Sequence, residues 1–204
     1  RGGPPFNRPT NLALSPSGEM YVTDGYGNCR VHKFSADGQL LFSWGEPGTG
    51  PGQFGIPHGI AVDKRGIVYV GDRQNNRIQA FTPGGQFVTQ WTGINRPDDL
   101  FLDAEENLFV AELGHRVGIS QGMPTPSAAS PWSTVAVLDL KGNVLARWGG
   151  ENGHAPGNFW GAHGIWADSH GDLYVSEVAT SSAKSVAPPE RPLFQKFVRV
   201  ASGR

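Results

Sequence analysis

Cysteine is nearly absent from this 204-residue chain: Cys29 stands alone. No intrachain disulfide can therefore hold the fold, which must rest on its core and on any metal it binds. No run approaches the roughly 18 to 20 consecutive apolar residues that a helix needs to cross a bilayer, so no membrane span is expected. Charge is sparse, at 17% of residues, and balanced to a formal net charge of −1. A duplex nucleic-acid binder would carry a basic face, so nucleic acid is not an expected partner. In place of these features the chain has 29 Gly and 16 Pro alongside 38% hydrophobic residues. That is apolar enough for a core but too rich in breakers for long helices, and an all-β chain of many short strands is expected.

Four internal repeats carry this reading. They run at about 8–45, 56–91, 96–149 and 161–200, and an acidic residue marks the same point in each: Asp24, Asp72, Glu112 and Glu177, spaced by 48, 40 and 65 residues. Within each copy, short β-branched or alternating runs are separated by turn sequences such as SPSGE, DKRGI and TPGGQ, and Trp44, Trp91 and Trp148 close the last run of the first three copies. Four strands per repeat, a to d, build a β-propeller with one sheet per repeat, in a single domain over 1–204. The fourth copy stops after its third strand, and the N-terminal RGGPPFNRP is a poor ladder strand because proline cannot donate. One strand and whole N-terminal blades are therefore expected to be missing, with the four visible blades part of a six-bladed ring. A closed four-bladed ring, or two chains joined through open propeller edges, are the alternatives.

Length variation concentrates on one face, in the d-to-a connections and in two long b-to-c loops at 113–133 and 178–192. Long loops in compact domains tend to be functional. On that face the innermost strand a begins with Thr10, His58, Asp98 and His163 in equivalent positions. Histidine recurs in alternate blades, so His58 and His163 are candidates to share one metal ion, although catalytic zinc usually takes three protein ligands. Tyr26 and Arg73 follow strand b in blades 1 and 2, in DGYGNCR and GDRQNNR. A tyrosine beside a metal can act as a base, and an arginine fork suits a carboxylate. The alternatives are a packed aromatic and an Arg paired with Asp72. His115 and Arg116 open a long loop on the same face and are weaker candidates for substrate binding. His32, His154 and His170 read as solvated or structural.

The blade signature PHGIAVDKRGIVYVGDRQNNRIQAF resembles the NHL-repeat propellers. More narrowly, DGYGNCRVHKFSADGQLLFSWGE, GPGQFGIPHGIAVD and GDRQNNRIQAF resemble peptidyl-α-hydroxyglycine α-amidating lyase, a six-bladed propeller of that type. The resemblance implies cleavage of a hydroxyglycine-ending peptide to a peptide amide and glyoxylate, with Zn²⁺ held by three histidines. By residue, it implies that His58 and His163 are two zinc ligands, Tyr26 the base and Arg73 an active-site arginine. The chain departs from it in having no third histidine at a strand-a start. It has Gly164 where the family has Asp after the last ligand, and Gly27 where the family has a cysteine. A metal-dependent lyase on a small-molecule or peptide substrate is thus the leading expectation. A Ca²⁺-dependent propeller lactonase and a non-catalytic platform for a protein partner are the others.

Overall fold

Each repeat folds into its own antiparallel sheet. The computed structural model describes residues 4–114, 132–150, 155–178 and 193–200. Blade 1 contains β1 (Asn11–Leu14), β2 (Met20–Asp24), β3 (Arg30–Phe34) and β4 (Leu40–Trp44). Blade 2 contains β5 (Pro57–Val62), β6 (Val68–Asp72), β7 (Arg77–Phe81) and β8 (Phe87–Thr92), with a 3-10 turn, Arg73–Asn75, after β6. Blade 3 contains β9 (Pro97–Leu102), β10 (Leu108–Glu112), β11 (Thr134–Leu138) and β12 (Val144–Gly149), and blade 4 contains β13 (Ala162–Ala167), β14 (Leu173–Glu177) and β15 (Phe194–Phe197). Strands pair in chain order within every sheet. The arrangement is a four-bladed β-propeller of all-β build, with blade 4 showing three strands among the described residues. Most of the two long b-to-c loops, and His115, Arg116 and His154 with them, lies outside those residues.

The tight turns follow from their first residue. In the a-to-b turn of blade 2, Asp63 Oδ1 accepts the backbone N–H groups of Arg65 and Ile67 at 2.9 and 2.8 Å. Asp168 does the same for His170 and Asp172 in blade 4, and Asp139 for Lys141 and Asn143 in the c-to-d turn of blade 3. A short carboxylate that satisfies its own turn amides gives each hairpin a fixed register.

The acidic residue that ends each strand b has one recurrent task. It accepts a backbone N–H from the linker leading into its own blade: Asn7 to Asp24, Gly55 to Asp72, Asn95 to Glu112 and Trp160 to Glu177, each at 2.6–2.8 Å and each 17 residues back. Side chains from strands c and d complete the cap. Arg77 pairs with Asp72 at 2.8 Å and Arg147 with Glu112 at 2.8 Å. Gln195 donates to Glu177, and His32 lies 3.3 Å from Asp24 with Ser43 on its other ring nitrogen. His32 and Gln195 sit opposite Val22 and Val175 in the same register, so His32 is the blade 1 version of a structural glutamine position, as its sequence context suggested.

The core lies between blades. Tyr21 and Val31 of blade 1 pack on Ile60, Val68, Val70 and Phe81 of blade 2. Tyr69, Ile78 and Trp91 of blade 2 pack on Leu100, Leu108 and Leu138 of blade 3. Val135 of blade 3 packs on Ile165, Leu173 and Val175 of blade 4. Apolar burial of this kind stabilises by roughly 25 cal/mol per Å², and it brings β1, β5, β9 and β13 side by side around the axis.

Candidate functional site

The starts of the inner strands and the ends of the b strands converge at one end of the axis. Tyr26 reaches it because the residues flanking it are small. A Cβ on Gly25 would lie 2.2 Å from the Pro57 carbonyl oxygen and one on Gly27 would lie 2.3 Å from the Asn7 side chain. The DGYGN turn can therefore sit directly against the neighbouring backbone. Next to it, Thr23 Oγ1 donates to the His58 carbonyl at 2.7 Å, and Thr10 Oγ1 to the Pro57 carbonyl at 2.9 Å. Thr10 thus positions the start of β5.

His58 is buried, with Nδ1 2.7 Å from the backbone carbonyl oxygen of Asp98. A carbonyl can only accept, so Nδ1 carries the proton and the lone pair resides on Nε2. Burial, followed by the Arg73 charge and set against Asp98, pushes the pKa of His58 down to about 4, leaving the ring neutral at physiological pH. Tyr26 Oη lies 3.3 Å from Nε2, with the two rings edge to face.

Asp98 joins the remaining groups. Its fully buried carboxylate accepts from Arg73 Nη1 at 2.8 Å, lies 3.4 Å from His58 Nδ1, and lies 3.1 Å from His163 Nε2. Arg73 Nη1 also donates to Tyr26 Oη at 3.1 Å, and the guanidinium stands 5.1 Å over the tyrosine ring. Burial opposes the Arg73 charge, but Asp98 and Tyr26 outweigh it and hold the pKa above its usual value. Arg73 therefore pairs with Asp98 across a blade boundary; Asp72 takes Arg77 instead. Arg96, on the linker into β9, is buried close by. Burial, together with the neighbouring Arg73, pushes its pKa down to about 10, so it stays cationic.

Beneath this layer Asp99 occupies the channel. It accepts from Asn11 Nδ2 at 2.5 Å and from the Ile165 N–H at 2.9 Å, joining blades 1, 3 and 4. Gly59 leaves the room it needs, since a Cβ there would lie 2.8 Å from Asp99 Cα. Burial pushes the Asp99 pKa up to about 6.

Tyr26, His58, Arg73 and His163, all expected from the sequence, are thus brought together, and the rings of His58 and His163 stand 5.2 Å apart. Asp98 is the addition. His58, Asp98 and His163 can each offer a ligand atom, all within 4.8 Å of one another. Two imidazoles and one carboxylate suit zinc or a related transition metal, whereas Ca²⁺ prefers six to eight oxygens. The strand-a alignment placed Asp98 beside the histidines; its burial against Arg73 is what the sequence could not show. Arg96 had no sequence signal beyond lying next to Pro97.

Residues 6–34 and 54–81 match the NHL repeat family. The chain carries NHL repeats. It is similar to NHL repeat-containing protein 3 of Mus musculus, with 43% identity over 148 residues, 69% of this chain and 42% of that protein. Peptidyl-glycine alpha-amidating monooxygenase of Mus musculus is 42% identical over 184 residues, 87% of this chain and 18% of that protein. A probable peptidyl-alpha-hydroxyglycine alpha-amidating lyase of Caenorhabditis elegans is 37% identical over 82 residues, 39% of this chain and 23% of that protein. The NHL propeller described here thus spans less than half the length of each of these relatives, and it resembles the amidating lyases.

Proposed function

We propose that this NHL propeller is a metal-dependent lyase that cleaves the C–N bond of an α-hydroxyglycine-type substrate and releases glyoxylate. The observation that carries the reading is the convergence of Tyr26, His58, Arg73, Asp98 and His163 from four different blades at one end of the axis. The names of two relatives, an amidating monooxygenase and an amidating lyase, point to the same chemistry.

The reaction converts an acylated α-hydroxyglycine into an amide and glyoxylate. The hydroxyl proton leaves oxygen, the C–N bond breaks as the carbonyl forms, and the amide nitrogen gains a proton, with no net redox change. His58, Asp98 and His163 would hold the metal, whose chemistry is to polarise a substrate oxygen as a Lewis acid. In this reading Tyr26 takes the hydroxyl proton, supported by its 44% exposure and by the hydrogen bond its oxygen accepts from Arg73. Arg73 orients that phenol, and its charge favours a carboxylate on the substrate. Arg96 adds a second cation to the same environment. The Nδ1–H to Asp98 carbonyl bond keeps His58 in the tautomer a ligand needs.

Two measurements test this reading. Elemental analysis should find near-stoichiometric transition metal in the wild-type protein and little in a His58→Ala, His163→Ala variant. Glyoxylate release from an N-acyl α-hydroxyglycine should fall about 10²- to 10⁴-fold in Tyr26→Phe. Metal without glyoxylate release would overturn the reaction; absence of metal would overturn the metal dependence.

A further inference from the structure

The hydrogen bonds around Tyr26 each have one possible direction. Arg73 Nη1 lies 3.1 Å from Tyr26 Oη and 2.8 Å from Asp98 Oδ1, and a guanidinium only donates. The phenol oxygen is therefore the acceptor toward Arg73. His58 Nδ1 lies 2.7 Å from the Asp98 carbonyl oxygen, which only accepts, so the ring proton of the neutral imidazole is on Nδ1. Nε2 then has a lone pair and no proton, and Tyr26 Oη, 3.3 Å away, gives its one proton to it. Tyr26, His58, Asp98 and Arg73 close a ring of hydrogen bonds across blades 1, 2 and 3.

That lone pair is also the one His58 must give to a metal. Its Nδ1 is committed to the Asp98 carbonyl, so Nε2 is the nitrogen that can join Asp98 and His163 in a ligand set. A lone pair serves one partner at a time. We propose that the Tyr26 hydroxyl and the metal ion are alternative partners of His58 Nε2, so that loading the site breaks the Tyr26–His58 bond and frees the phenol to face substrate. Such a coupling rests on the metal-dependent reading above and adds to it: Tyr26 becomes available for chemistry only in the metal-loaded protein.

The surroundings allow this exchange with little movement. The Arg73 bond survives it, because that bond uses a lone pair of the phenol oxygen and not the hydroxyl proton. The guanidinium 5.1 Å over the tyrosine ring and the edge-to-face packing on His58 hold the ring where it is. Only the hydroxyl hydrogen has to turn. Tyr26 is 44% exposed, so that hydrogen finds water or substrate once it leaves His58. The competition has a sign of its own: Tyr26 weakens metal binding. A phenol that ligated the metal would strengthen binding, and one that merely packed beside it would leave binding unchanged.

The test is calorimetric titration of Zn²⁺ into the full chain stripped of metal, comparing wild type with Tyr26→Phe. The substitution keeps the ring and removes the competing proton, so Zn²⁺ affinity should rise about 2- to 10-fold, the worth of one neutral hydrogen bond. Tyr69→Phe removes a phenol hydroxyl that donates to Asp63 in the a-to-b turn of blade 2, at the other end of the blade, and should leave the affinity as in wild type. In NMR spectra of tyrosine labelled at Cζ, one of the four resonances should move as Zn²⁺ is added to wild type, and that resonance should be missing from Tyr26→Phe. Equal or weaker Zn²⁺ binding in Tyr26→Phe, or a Tyr26 resonance that Zn²⁺ does not move, overturns the proposal and leaves the metal reading standing. An equal gain in Tyr69→Phe overturns it as well. Absence of Zn²⁺ binding in wild type and Tyr26→Phe alike overturns both.

Discussion

At Asp98 one buried carboxylate faces an arginine from blade 2 and a histidine from blade 4, while its backbone carbonyl fixes the tautomer of a second histidine. Removing the charge leaves Arg73 buried without its counterion. Asp98→Ala should therefore destabilise the fold by about 3–5 kcal/mol in urea denaturation, and it should abolish metal retention measured by elemental analysis. Asp98→Asn, which keeps an acceptor for Arg73, should recover part of the stability and little of the metal. The sequence put Tyr26, His58, Arg73 and His163 at one end of the blades because the ends of b strands and the starts of a strands are set by turn chemistry. The partnership of Arg73 was not readable there. Asp72, its neighbour in the chain, points into a cap and takes Arg77, and only the stacking of blades reveals that Asp98 lies on the other side.

Blade stacking also separates two glycines that look alike in sequence. Gly38 and Gly142 occupy the same place in the c-to-d turn with φ near 87° and 88°. Any side chain at that φ is strained, so Gly38→Ala should cost about 1–2 kcal/mol from the backbone alone. Gly142→Ala adds a clash with Trp91 and should cost about 2–5 kcal/mol in total. Thermal denaturation of the two variants at low protein concentration compares them directly; equal losses would mean that the Trp91 contact contributes nothing. Repeats, turns and the recurring acidic position were all legible, since each depends on local chemistry. The targets of those acids were not, because a backbone amide in a linker leaves no trace in residue type.

For the whole molecule, one buried phenol contributes to the response to alkali. Burial, followed by the Asp63 carboxylate 3.2 Å away, pushes the pKa of Tyr69 from 10.0 to about 12. The folded state keeps this proton where the unfolded chain loses it. The associated stability is fully present below pH 10 and declines as pH rises toward 12. Tyr69→Phe should flatten that decline in urea denaturation followed against pH, with a loss of about 1 kcal/mol for the missing hydrogen bond below pH 10 that narrows as pH rises. An unchanged slope would assign the alkaline limb to another group. The propeller architecture was legible from the spacing of the repeats, whereas the pairing of side chains across blade boundaries depends on tertiary contacts that no repeat records. The strand-b carboxylates, finally, each join a blade to the linker leading into it, at two points 17 residues apart. Closing so short a loop costs little entropy, so every blade carries its own latch, while the apolar core that holds the latch shut forms only when the neighbouring blade stacks on it.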